Sequence, residues 1–567
     1  MIFILPGSTG VYMYGRLKAA FLRRVTIDSR SLAVFRIVAG VLVIADVLLR
    51  FRNFRFFYTD DGVMPVSLAR ELMPDYAVSV FFVSGSPTVT FALFGVHLLV
   101  GVALLLGYHT RVAAVLAFLF VVSLDHRVPM ATSYADILFR HLLFWGMFLP
   151  LGRRFSLDAI RSEESPPATY TGLAGAFVLI QMVAMYVANG SHKIPWREDW
   201  LSGQSLYGIL HYDSISWLLG PYIREFPLLM QLGSIKWYVL MLGAPLFLLL
   251  TAGRARYLAA LLYAGGHLFM AATVRIGAFP YVALMGLVLF CGPRAWADAR
   301  WVAGRVGVLE RIDGAVARIA RHGADLDARL PRATLPEGPV VERVRHPATV
   351  FVMVIIIASG VFMIVATLGT VGVMDEETTV PLQEEVEGIQ STVQLDQPPW
   401  RFYQGPIGSD EYYVFAGRTA DGQLVDVYND RPLAFDRPHG QHNYKQLDTY
   451  RERFYMYGID SRTNPAYGDD ADAVYAEYLC DTYRWEGEEL THINMWVIEE
   501  DVDLDNASAY EQYDRDASLI HAHGCGDHEP RDIRFPPEGY TPGVDAGARE
   551  EIENDDDYTY VEWLTEE

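Results

Sequence analysis

Residues 170–196 read YTGLAGAFVLIQMVAMYVANGSHKIPW, and this stretch decides the class of fold. From Tyr170 to Ala188 it is apolar and long enough for a helix that crosses a bilayer. It ends in Asn189-Gly190-Ser191-His192-Lys193-Ile194, with Trp196 and Trp200 close behind. Only four lysines occur in 567 residues, against 42 arginines, and Lys193 is one of them. A chain that draws nearly all its positive charge from arginine has an amine at the mouth of this helix. Arginine stays charged under nearly all conditions, whereas a desolvated lysine can lose its proton and act as a base. A snorkelling lysine that anchors a helix end beside interfacial tryptophans is the competing reading.

Working outward, nine stretches can cross a bilayer: roughly 31–50, 87–107, 111–124, 135–151, 171–190, 237–251, 257–274, 277–293 and 347–373. The third, fourth and sixth are short, and the pair around Gly277 can be read as one broken unit. Arginine orients the path. Arg16, Lys18, Arg23, Arg24 and Arg30 precede the first span, and Arg111 follows the second. Arg153, Arg154 and Arg161 follow the fourth, Arg254 and Arg256 the sixth, and residues 294–346 carry ten arginines. All fall on one side of an alternating nine-pass path, which the positive-inside rule makes cytoplasmic.

Charge divides the chain in two. Residues 374–567 hold 46 Asp+Glu against 13 Lys+Arg, whereas residues 1–373 hold 22 against 33. The expected fold class is a polytopic α-helical membrane domain of about eight or nine transmembrane helices, followed by a small acidic α+β extracellular domain. Its parts are a membrane domain over 1–293, a basic cytoplasmic segment over 294–346, a last transmembrane helix over 347–373 and an acidic exported domain over 374–567. In 294–346, Trp296, Trp301, Val308, Ile312, Val316 and Ile319 alternate with arginines as in an amphipathic helix on an anionic leaflet. A solvated helix pair, broken by Pro331, Pro336 and Gly338, is the competing picture. Such acidity with so little lysine suits high salt. The basic residues are scattered between membrane segments, which excludes a nucleic-acid surface and makes membrane lipids the expected partners.

The nine-pass path brings the ionisable groups of the spans to the outer face. Asp136, Arg140 and His141 lie in the fourth span, His267 in the seventh and Arg275 at its outer end. Such groups inside membrane helices face a bundle interior or a water-filled cavity. Asp136 and Arg140 are one turn apart, the spacing of an ion pair, and a structural clamp is the alternative to a functional role.

Two stretches resemble the membrane domain of vitamin K-dependent gamma-glutamyl carboxylase and its microbial relatives, the HTTM (horizontally transferred transmembrane) domain proteins. One is Gly190-Ser191-His192-Lys193-Ile194 followed by Asp199-Trp200-Leu201-Ser202-Gly203. The other runs from His267-Leu268-Phe269 through Ile276-Gly277-Ala278-Phe279-Pro280-Tyr281 to Phe290-Cys291-Gly292-Pro293. Asp28-Ser29-Arg30-Ser31-Leu32-Ala33 with Phe57-Tyr58-Thr59-Asp60-Asp61-Gly62-Val63, and Phe144-Trp145-Gly146-Met147-Phe148-Leu149-Pro150, look like further family segments in the same order. The resemblance covers roughly residues 25–295. It implies that Lys193 takes a proton from a reduced quinone of the vitamin K or menaquinone type, with His267 beside the reacting centre. His192, Asp136, Arg140 and Arg275 would support the site, Arg140 or Arg275 steadying negative charge. The family's Asn-His pair before Ser133-Tyr134 is Ala131-Thr132 here, so quinol oxidation is better supported than carboxylation of an acidic or protein substrate. His126 and His141 are the candidate replacements. A non-catalytic protein that binds or transports a lipid or acidic solute, its tail gripping a partner, is the second reading.

In the tail, Tyr412–Phe415 and Leu424–Tyr428 flank Ala420-Asp421-Gly422 as a hairpin. Trp400 to Tyr428 resembles the segment that follows the membrane domain in HTTM proteins. Helices are expected over 443–457 and 471–484, a strand over 491–499, and no order in the last twenty residues around Asp555-Asp556-Asp557. His521, His523, Cys525 and His528 can ligate a transition metal, or Cys525 can form a disulfide with Cys480.

Overall fold

The computed structural model describes residues 8–74, 77–162, 165–331, 339–374, 398, 400–405, 408–460, 470–504 and 513–533. Asp28 starts the first long helix, Ser29–Phe51, by accepting from the Arg30 N–H at 2.8 Å and pairing with its guanidinium. Pro87 opens Pro87–Leu106, and Gly107 closes it at φ +68°. Thr110–Arg127, Tyr134–Met147, the lysine helix Leu173–Ser191, Pro227–Ala244, the histidine helix Gly253–Thr273 and Phe279–Leu287 complete the bundle.

Five described helices are long and apolar enough to cross a membrane: Ser29–Phe51, Pro87–Leu106, Leu173–Ser191, Pro227–Leu250 and Arg345–Thr370. Phe279–Phe290 and Pro293–Arg305, bent by 103°, make a sixth if taken together. The other expected spans are helical but shorter or more charged. Thr110–Arg127 ends in Asp125, His126 and Arg127, and Tyr134–Met147 has 14 residues.

The arginine-bearing connections gather at one end of the bundle. Arg24 donates to Leu250 O at 2.9 Å, Arg256 to Arg24 O at 2.6 Å, and Arg161 pairs with Asp327 at 2.5 Å. The segment after the bundle is the helix pair Pro293–Arg305 and Leu309–Asp327, joined at Gly307, rather than one helix. Its expected breakers Pro336 and Gly338, and the acidic last twenty residues, lie outside the described residues.

The C-terminal region docks on the opposite end. Its sheet comprises β1 (Ser409–Thr419), β2 (Leu424–Asp426), β3 (Arg431–Pro432), β4 (Leu490–Asp501) and β5 (Arg515–Gly524), all antiparallel in the order β3-β2-β1-β4-β5. The period-2 alternation of β1 gives it two covered faces. Tyr412, Val414 and Ala416 face a small cluster with Leu433 and Phe435, while Tyr413 and Phe415 join the main core. Helices Tyr450–Ile459 and Asp470–Thr482 lie against the second face; the first was expected from residue 443, but Gly440–Lys445 is a separate 3-10 turn. The aromatic seam continues into the bundle, where Phe56 meets Tyr455, Tyr475 and Tyr478 edge-on. A buried ion cluster closes the joint: Asp213, in the connection after the lysine helix, accepts from Arg224 at 2.9 Å and from Arg437 at 2.8 Å.

Candidate functional site

The lysine helix ends at Ser191 with His192 as its C-cap. Lys193 lies past the helix and is 2% exposed. Its Nζ donates to Phe402 O and, at 2.7 Å, to Tyr403 O, and lies 4.8 Å from the centre of the Trp200 ring. One turn earlier, Asn189 Nδ2 donates to Trp400 O at 2.7 Å, and Trp200 Nε1 donates to Gln404 O at 2.7 Å. Residues Trp400 to Gln404 therefore form a strap held by its main-chain carbonyls. Trp400 at φ +53° and Tyr403 at φ +34° adopt backbone that costs non-glycine residues of order 1 kcal/mol, so these contacts hold the strap in a strained shape. Lys193 has no ion pair among the described residues, and burial pulls its amine from 10.5 down to about 7. A neutral amine keeps two N–H groups, enough for the two carbonyls, and a lone pair that can take a proton.

Beneath the strap is a cavity of about 470 Å³, within the range of roughly 300–1,000 Å³ common for small-molecule sites. Its walls come from the lysine and histidine helices, from Pro227–Ala244 and from helix Tyr450–Ile459 of the C-terminal region. They are chiefly apolar, with Met185, Leu206, Ile209, Met241 and Phe279 among them. His267 is fully buried; its Nε2 and the Tyr186 hydroxyl are 2.7 Å apart, and its ring packs against Trp237 and Phe279. Nδ1 of His267 and Nη1 of Arg453, both on residues lining this cavity, have no hydrogen-bond partner among the described residues. Lys236 lines it too, so two of the chain's four lysines face one chamber. Lysine scarcity was the signal that could have found Lys236.

Lys193 and His267 are thus brought together, and the other expected site residues are not. Asp136 and Arg140 do not pair, correcting the expectation from their spacing. Asp136 sits at the N-terminus of its helix, where it completes a capping box with Ser133. From there it accepts from Arg50 at 3.3 Å and from Arg451 at 2.7 Å, while Arg140 donates to Asp125 at 2.9 Å. Arg50 also binds Asp46 at 2.8 Å and Asp125 at 2.6 Å, and Arg451 binds Asp46 at 2.6 Å. This network of three arginines and three aspartates fits the structural clamp. Arg275 clips the C-terminal region by donating to the carbonyls of Tyr444, Leu447 and Asp448. His126 and His141 turn Nδ1 to Val78 O and Ile137 O, and neither lines the lysine cavity.

Residues 25–296 match the family model described as HTTM domain. The chain carries an HTTM domain. Lys193, His267, Tyr186 and Asn189 all fall within it, and the strap and Arg453 fall outside. No solved structure matches the chain.

In the region after the HTTM domain, of the two alternatives for Cys525, the disulfide is formed and the metal cluster is not assembled. Cys525 is joined to Cys480 as a disulfide, with Cα atoms 5.5 Å apart, so its sulfur is unavailable as a ligand. On β5, His523 Nε2 meets Glu477 at 2.8 Å and His521 Nδ1 meets Asp472 at 3.5 Å, both on the helix beneath; His528 lies against His492. Among the described residues, no group of three or more His, Cys, Asp or Glu could hold a metal ion.

Proposed function

We propose that this HTTM-domain protein binds a reduced quinone in the lysine cavity and that Lys193 takes its hydroxyl proton. The observation that carries the reading is a buried amine with no carboxylate partner, facing a largely apolar chamber. The fit rests on the chamber's volume and lining, and on His267 Nδ1 and Arg453 Nη1, two buried polar atoms left for a ligand's oxygens. A bound quinol would supply an acidic hydroxyl and, once deprotonated, an electron-rich ring open to oxygen. The chain's own part is simpler. Phe402 and Tyr403 carbonyls hold two Lys193 hydrogens, the Trp200 face shields the amine from water, and its lone pair becomes Nζ–H when a proton arrives. Arg453 supports negative charge left on the ligand. Carboxylation is not included, because Thr132 stands where the family has histidine and neither candidate replacement, His126 or His141, lines the cavity.

Oxidation of a reduced menaquinone by dioxygen in the presence of the purified protein tests this. Lys193→Arg and Lys193→Met should both lower turnover by roughly 10²–10⁴ and still bind the oxidised quinone. Undiminished turnover in both would leave Lys193 as the anchor of the strap and favour the non-catalytic reading.

The proposed topology is nine crossings, with the N-terminus and residues 294–346 cytoplasmic and the C-terminal region outside. The clustering of arginine connections at one end supports it, as does a disulfide at the other, since disulfides persist in oxidising compartments. Proteolysis of sealed cells that spares the C-terminal region would overturn it.

A further inference from the structure

A second cavity, of about 700 Å³, lies where helix Ser29–Phe51 meets Phe279–Leu287. Tyr450 and Ala135 line it on one side and the lysine cavity on the other, so the two chambers share a wall. Tyr450 approaches Gly277 so closely that a Cβ there would fall 2.3 Å from its ring. The second cavity differs in kind. It opens sideways on the bundle surface, where Val41, Leu49 and Tyr281 are 48%, 56% and 49% exposed. Along its length it is aliphatic, through Val38, Leu42, Ala45 and Leu284.

At the end nearest the C-terminal region it turns basic. Four guanidiniums, of Arg50, Arg52, Arg275 and Arg451, face three carboxylates, of Asp46, Asp136 and Asp448. Asp46 and Asp136 are committed to Arg50 and Arg451. Arg275 is bound only by neutral carbonyls, and the Arg52 side chain has no hydrogen bond or ion pair among the described residues. Within the lining that leaves Arg52 and Arg275 against Asp448, with the Glu452 carboxylate acting on Arg275 from outside it. An aliphatic groove open to the side of a membrane bundle, with net positive charge at one end, is complementary to one acyl chain and an anionic headgroup.

We propose that this groove is a binding site for an anionic phospholipid, its chain along Val38–Leu49 and its phosphate at Arg52 and Arg275. The site is separate from the lysine cavity and does not depend on quinol binding there.

Native mass spectrometry of the full chain, exchanged into micelles containing phosphatidylglycerol or phosphatidylcholine, tests it. Wild type should retain phosphatidylglycerol roughly fivefold better, the effect of about 1 kcal/mol for a guanidinium near a net-anionic rather than a zwitterionic headgroup. Arg52→Glu should remove the preference, and Ala45→Phe, which fills the groove, should lower retention of both lipids. Equal retention of both lipids by wild type, or an Arg52→Glu variant that keeps the preference, overturns the proposal. So does complete displacement by inorganic phosphate, which would show recognition of a free anion. Unchanged melting of both variants, with unchanged quinone binding, excludes loss of fold as the cause.

Discussion

Lys193 and Arg50 are both buried cations at the same end of the bundle, one chamber apart, and the protein treats them in opposite ways. Arg50 is enclosed by Asp46, Asp125 and Asp136, with Arg140 and Arg451 extending the lattice. Every charge there has a partner, and arginine cannot give up its proton. Lys193 is buried as deeply but meets only carbonyl oxygens and an indole face. Its burial is balanced by losing the proton rather than by pairing the charge. The contrast separates a clamp from a candidate base, although both look alike in sequence as ionisable groups at membrane depth.

The clamp should be the more fragile of the two in stability. Asp125 is fully buried and holds both Arg50 and Arg140, so Asp125→Asn leaves two buried guanidiniums short of a counter-charge. A loss of about 3–5 kcal/mol is expected, read as thermal unfolding in detergent. Wild-type melting in that variant would mean that Arg50 and Arg140 reach water, and the distinction between the two sites would collapse.

Lys193→Met should do the reverse. The unbranched stem fills the same space and removes a group that is costly to bury, but it leaves Phe402 O and Tyr403 O without this donor, so the loss should be only about 1–2 kcal/mol. Quinol oxidation should fall by roughly 10²–10⁴, the contribution of a positioned base. A variant that loses fold and activity together would place Lys193 with the clamp.

Acidity offers a finer comparison. Between about 7 and 10.5 the unfolded lysine holds a proton that the folded one lacks, so stability contributed by this group rises with pH across that window and is flat below it. Wild type should therefore gain on Lys193→Met as pH is raised from 7 to 10. Turnover should rise through about pH 7 and level off. A turnover that falls with pH in that range would require a protonated amine and sink the base assignment.

Much of the lysine site was legible because its signals are local. Lysine scarcity marked Lys193, and the collinear family segments placed His267 with it. The hairpin at Asp421-Gly422 and the strand near 491–499 followed from turn chemistry and alternation. The clamp was not legible. Spacing offered Arg140 to Asp136, but the capping position turned Asp136 toward Ser133 and opened it to Arg50 and Arg451, whose residues lie 86 and 315 positions away. No local pattern encodes such partners. Trp400 was marked as the start of a family-like segment, but its docking on Lys193 was not legible, because recognition through main-chain carbonyls imposes no side-chain type on Trp400–Gln404.

That strap gives the smallest expected effect and the most direct view of access to the lysine. Asn189→Ala removes the hydrogen bonds to Trp400 O and Phe402 O, while Lys193 and Trp200 keep theirs. The loss should be about 1 kcal/mol. Trp400 and Tyr403 hold unfavourable φ angles only while their neighbours are gripped, so the cost should appear as local opening rather than global unfolding. Hydrogen exchange at residues 400–404 should quicken roughly fivefold, with little change in melting temperature. Quinone dissociation should quicken with it if the strap roofs the chamber. Faster exchange without faster release would mean that the ligand leaves by another path, and the strap would then serve to position the amine rather than to enclose the site.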